Sequence, residues 1–317
     1  MTSRKAHPRA VFWLVAATAV WGLSFPLMKV LHFQQHEHAD SWFLSAWLLC
    51  LRFLGAGLVL LVLAPHTLQG ISRRELAQGL GLAAFAAPGM LLQADGLGQT
   101  EASTSAFLTQ FYCVLLPLWA CCAARSLPGR RLTVATVLVV AGVAVLSKID
   151  FHQLRLGPGE MKTLAAAVFF TGQILWLERP QFAGNRAAAV SVVMFLAIGL
   201  GGLVMAVSVT RDWPAVASAW GGPAELCILA VITLGCTLFS YWMMNRWQPS
   251  VTATEAGLIY ALEPVFTAAF TLFLPAWLSA WCGVSYQNER LNTVLLLGGG
   301  LITLANIVVQ LPGRTRL

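Results

Sequence analysis

Ten stretches of this chain, at about 10–31, 42–64, 76–97, 102–124, 132–147, 161–178, 187–209, 224–245, 252–274 and 291–311, carry few or no charged side chains. About twenty apolar residues in a helix cross the hydrocarbon layer of a bilayer. In lipid every backbone N–H and C=O needs a partner within the protein, which leaves only helices or closed barrels. Runs of this length are therefore read as helical spans, the fifth and sixth being short. Charged residues make up 10% and hydrophobic residues 58% of the 317, where a soluble chain carries roughly 25% charge. No soluble fold hides that much apolar surface. The expected class is an all-α polytopic membrane protein of ten transmembrane helices.

Charge placement sets the expected orientation. Cytoplasmic loops of membrane proteins are enriched in Lys and Arg. With the N-terminus inside, thirteen of the basic residues fall in cytoplasmic segments, five outside and two, Lys29 and Arg52, within spans. Reversing the protein inverts that balance, so both termini are expected in the cytoplasm. The basic start, Met1 to Arg9, is read as leading into an uncleaved first helix. The net charge of +7 is spread over short loops, a matter of topology that excludes a nucleic-acid-binding face.

An internal repeat organises the spans. Thr104 to Pro117 in the fourth span parallels Val251 to Pro264 in the ninth, with a proline at the same point of each helix. A basic turn and a glycine-containing span follow each: Arg131-Leu-Thr with Gly142, then Arg290-Leu-Asn with Gly298 to Gly300. Five spans per half is an odd number, so the second half, 149–317, is expected inverted relative to the first, 1–148. Inverted repeats with broken helices meeting near the midplane are characteristic of alternating-access carriers.

The stretch Glu255-Ala-Gly-Leu-Ile-Tyr-Ala-Leu-Glu263-Pro264-Val-Phe266 marks the expected centre. A carboxylate within a span is costly, and proline removes a backbone donor and forces the helix to open or bend. Glu263 with Pro264, and Pro117 in the other half, are therefore read as helix breaks beside a polar cavity. Arg52 lies at a similar depth in the second span, suggesting either an ion pair with Glu263, structural or cavity-lining, or a shared substrate site. Trp21, Gln93, Tyr112, Gln173 and Tyr260 are polar or amphipathic groups inside spans. Singly, each is read first as a helix–helix hydrogen bond or belt residue; together they suit a pocket for a small organic molecule. Lys29 reads as a snorkelling side chain, and Asp95 and Glu255 as interfacial.

The motifs resemble a known family. Trp21-Gly22-Leu-Ser-Phe25-Pro-Leu-Met-Lys29 is similar to the first-helix WG..F...K pattern of the EamA branch of the drug/metabolite transporter superfamily. Arg52-Phe53, Leu92-Gln93-Ala-Asp-Gly96-Leu97, Phe107 to Tyr112 with Pro117, and Leu258 to Phe266 resemble its later helices in order and spacing. The resemblance implies an inner-membrane carrier of small metabolites, most often an exporter driven by the proton gradient. One departure stands out. The family's glutamate just after the ninth helix is matched only by Glu289, beyond an aromatic stretch from Trp277 to Tyr286 that reads as an insertion, and no role is carried onto it.

The expected activity is proton-coupled export of a small metabolite, an amino acid or related compound, with uptake as the alternative because direction leaves no mark in sequence. The partners are a small-molecule substrate, protons and the lipid of a bacterial cytoplasmic membrane. No span carries an HExxH, a paired aspartate or a Ser/His arrangement, so an intramembrane enzyme is disfavoured. A non-transporting scaffold would not need a charge at mid-depth. Seven cysteines without CxxC or Cys/His spacing give no metal or cofactor site.

Overall fold

A computed structural model describes residues 8–35, 40–123, 125–146, 156–209, 220, 222–251 and 253–310. Among the described residues the regular structure is entirely helical, so this is an all-helical, multi-pass membrane protein. In chain order the helices are α1 (Pro8–Gln35), α2 (Ser41–Leu63), α3 (Arg73–Leu97), α4 (Ala102–Thr109), α5 (Tyr112–Ala123), α6 (Arg130–Leu146), α7 (Pro158–Leu177) and α8 (Ala187–Val209). Next come α9 (Pro223–Val231), a π-helical stretch (Ile232–Phe239) that continues into α10 (Ser240–Trp247), then α11 (Ala253–Tyr260), α12 (Glu263–Thr271), α13 (Leu274–Cys282) and α14 (Thr293–Gln310). Among the described residues six helical stretches are long and apolar enough to cross a membrane, and α12 with α13 forms a further candidate bent by 56°.

The helix starts follow local chemistry. Asp40 accepts from Trp42 N at 2.9 Å ahead of α2. Ser72 and Glu75 form a reciprocal capping box at α3, satisfying two orphan donors together. Pro158 and Pro223 open α7 and α9, where a missing N–H costs nothing.

The two helix breaks expected at Pro117 and Pro264 differ. In the second, Ala261 and Leu262 form a turn directly before Glu263 and Pro264, where proline has no N–H to continue the ladder. In the first, the turn falls at Gln110 and Phe111, while Pro117 lies inside α5. The Trp277–Tyr286 stretch begins on α13, which ends with Gly283 in the left-handed region at φ 68°, a conformation glycine adopts without Cβ strain.

Packing interleaves the two ends of the chain. Helix α2 lies along α8, α3 along α7 and α8, α6 along α14, and α1 against α10 and α12. Where α6 meets α14 the contact is glycine to glycine. A Cβ built on Gly142 would stand 2.8 Å from the Gly298 carbonyl, and one on Gly298 3.0 Å from that of Gly142. Backbones approach this closely only over small residues.

Candidate functional site

One internal cavity is lined by Glu263, Arg52, Trp21, Gln93, Tyr112, Gln173 and Tyr260 together with apolar neighbours such as Phe25, Met28 and Leu49. All seven polar and aromatic groups singled out from the sequence share this one space. Its free volume is about 80 Å³, room for a few waters at ~30 Å³ each. Ligand pockets run to roughly 300–1,000 Å³, so the free space here is small for an organic ligand.

Arg52 is buried at 6% exposure. Its Nε donates to Thr237 Oγ1 at 2.8 Å and its Nη1 lies 3.1 Å from Met28 Sδ. Thr237 sits in the π-helical stretch and itself donates to Ile232 O, five residues back, at 3.0 Å. The wider π turn thus presents the Thr237 hydroxyl to a neighbouring helix. π turns of this kind recur at functional sites.

Glu263 opens α12, and Gln110 Nε2 donates to its Oε2 at 3.3 Å. The two helix breaks therefore meet through their side chains. Among the described residues the ion pairs are Lys162–Asp95 and Arg186–Glu75, so Arg52 and Glu263 line one cavity without forming a salt bridge. Two further donors in the wall, Trp21 Nε1 and Gln173 Nε2, are buried without a protein partner. A buried orphan donor costs about 1–3 kcal/mol; a water or ligand acceptor in the cavity would remove that cost.

The wall is held by tilted and edge-on ring pairs and by a hydroxyl shared between two carbonyls. Trp21 stands 5.0 Å from Tyr241 and 5.7 Å from Tyr260, and Tyr241 lies 5.9 Å from Phe53. Each such pair contributes about 0.5–1.5 kcal/mol beyond burial. Pro26 lies inside α1 and cannot donate to the Gly22 carbonyl four residues back. Thr267 Oγ1 of α12 lies 3.2 Å from that carbonyl and 3.0 Å from the Glu263 carbonyl of its own helix, so its single proton is shared between the two.

Several charges outside the cavity tie the elements at the two ends of the bundle. At the end where α1 finishes, Asp95, fully buried, accepts from Lys162, Ser41 and Gln99. Lys29 is 8% exposed, donates to Thr100 O, and lies over the Phe33 and Tyr286 rings. It is enclosed by protein rather than extended toward the headgroups. Glu289 accepts from Ala102 N at 2.9 Å, Ser103 N at 3.3 Å and the Ser103 hydroxyl, capping α4 from a distant loop. The resemblance had marked a glutamate near that place, but nothing local in the chain pointed to its partner. At the opposite end Arg186 Nε donates to Glu75 Oε1 at 2.8 Å. That bond holds its guanidinium above the ordinary range. The side chain of Glu255 lies outside the described set.

The fold and the cavity define a multi-pass helical membrane protein with a cavity in its bundle that carries several polar groups on a largely apolar wall. Over residues 8–148 the chain matches the EamA-like transporter family, the family whose motifs begin at Trp21-Gly22. An uncharacterized transporter of Archaeoglobus fulgidus is 25% identical over 299 residues, 94% of this chain and 84% of that protein. An uncharacterized transporter of Haemophilus influenzae is 27% identical over 116 residues, 37% of this chain and 65% of the relative. A solved crystal structure with 16% identity shares the fold at a TM-score of 0.60, covering 96% of each chain.

Proposed function

We propose that this protein is a secondary active transporter that exports a small metabolite, an amino acid or related compound, in exchange for protons. Its ten spans form two inverted five-helix halves, 1–148 and 149–317, with both termini in the cytoplasm of a bacterial inner membrane. The halves rock about the cavity so that it faces each side in turn.

The observation that carries the reading is that Arg52 and Glu263 line one cavity without forming an ion pair. Ionisable groups in a membrane are costly and mark substrate or proton pathways. A fixed structural pair would be joined; here the guanidinium rests on Thr237 and the carboxylate on Gln110. The cation, with the unpartnered Trp21 and Gln173 donors, suits a substrate carboxylate. Glu263 suits an ammonium on one half of the cycle and a proton on the other. Competition for one carboxylate is enough to couple the two fluxes.

The test compares small molecules inside and outside cells overproducing the intact protein with those producing Glu263→Gln. A compound that accumulates in the medium only with the intact protein supports export and identifies the substrate. Accumulation inside would reverse the direction. Equal profiles in the two strains would sink the assigned role of Glu263.

A further inference from the structure

A second chamber lies where α7 and α10 end and α3 and α8 begin, the cytoplasmic end in the orientation proposed above. It measures about 470 Å³, within the range of small-molecule sites and far above the 80 Å³ of the inner cavity. It is the roomier of the two spaces.

Its wall carries opposite charges. Glu178, Arg179 and Arg246 all line it, and among the described residues none of them forms an ion pair. Asn245, 6% exposed, also faces the chamber. Its Nδ2 donates to Ser191 Oγ at 2.9 Å while its Oδ1 is buried without a partner. Exchanging the amide O and N leaves the same count, since one atom takes Ser191 and the other stays orphaned. A buried polar atom in this state calls for a ligand or water.

The two chambers share a partition. Leu177 lines both. Tyr260, from the inner cavity, donates to Gln248 Oε1 in the outer wall at 2.8 Å, and Gln248 Nε2 reaches toward Glu178 at 3.5 Å. Leu177 and the Tyr260–Gln248 bond therefore connect the walls of the two spaces.

We propose that this chamber is a second binding site, which takes up a small zwitterion from the cytoplasm and holds it ahead of the inner cavity. The ammonium is received by Glu178 and the Asn245 amide, the carboxylate by Arg179 and Arg246. The proposal rests on the transport reading above, since the ligand is the same metabolite.

The test is calorimetric titration of each common α-amino acid into the full-length protein in lipid nanodiscs. Intact protein, Glu178→Gln, Arg246→Gln and Glu263→Gln are compared. Glu178 and Arg246 are exposed, so an unchanged melting temperature is expected for both and confirms their folding. For the amino acid that binds, the expected result is two equivalents with intact protein. One of them should weaken at least tenfold in Glu178→Gln and in Arg246→Gln, while the other is lost in Glu263→Gln. A single equivalent, indifferent to the first two variants and lost in the third, overturns the second site and leaves the transport reading standing. No binding to intact protein by any amino acid overturns the substrate class and this inference with it.

Discussion

Gln110 and Glu263, one at each helix break, are joined by a hydrogen bond of 3.3 Å. Each sits where its helix loses regular hydrogen bonding, and Gln110 is fully buried. A hydrogen bond to a charged group contributes about 1.5–3 kcal/mol. Replacing Gln110 by leucine keeps the bulk and removes the donor. The proton-coupled export proposed above is expected to fall about ten- to a hundredfold at unchanged protein level. An unaltered rate would show that the two breaks work independently.

Gly22 is the point at which α1 touches the start of α12. A Cβ there would stand 2.8 Å from Phe266 Cβ, 3.0 Å from Thr267 N and 3.1 Å from Glu263 O. Two of those three atoms are backbone and cannot rotate away. Gly22→Ala must push α12 outward, and overpacking of this kind costs about 1–3 kcal/mol. The same shift moves Glu263 and draws the Thr267 hydroxyl away from the Gly22 carbonyl, leaving its proton to the Glu263 carbonyl alone. A lowered melting temperature together with reduced export is the expected outcome, read by thermal unfolding and the export assay. Lost stability with full export would detach this contact from the site.

Glu289 caps α4 across 186 and 187 positions of chain. Loss of a cap costs about 0.5–2 kcal/mol, so Glu289→Ala is expected to destabilise the protein by that amount, while Glu289→Gln, still able to accept, loses less. Denaturant unfolding of the two variants checks the order. Equal losses would mean that the negative charge, not the acceptor geometry, holds the contact.

How far the chain could be read follows from which forces are local. Lipid excludes polar groups, so Trp21, Gln93, Tyr112, Gln173 and Tyr260 could be assigned to one interior from hydropathy alone, and they do share one cavity. Pro264 marks its break because a proline acts on its own helix. Pro117 does not: the turn lies at Gln110 and Phe111, where the chain carries no breaker. Partners set by helix rotation were not legible. Equal depth suggested Arg52 with Glu263, yet the π turn rotates Thr237 into reach of the guanidinium first. The Trp277–Tyr286 stretch reads as an insertion relative to the family pattern, and where its helix α13 packs, with Leu278 in the core, could not be read because its partners lie far away in the chain.

The Arg52–Thr237 bond gives the last prediction. The Nε–H points at one hydroxyl at 2.8 Å while Nη1 lies against Met28 Sδ, so the guanidinium is oriented by two fixed contacts. Lysine keeps the charge but offers a compact ammonium on a flexible stem, without the planar fork. Arg52→Lys should therefore raise the substrate concentration for half-maximal export by about tenfold while leaving measurable transport. Thr237→Val tests the orientation separately. It removes the acceptor at nearly constant volume and leaves a buried donor unpaired, a cost of about 1–3 kcal/mol. If the guanidinium works through its orientation, Thr237→Val should raise the half-maximal concentration in the same direction, with a smaller effect on the maximal rate. If Arg52 is only a structural strut, both variants will lower the melting temperature and leave that concentration where it was.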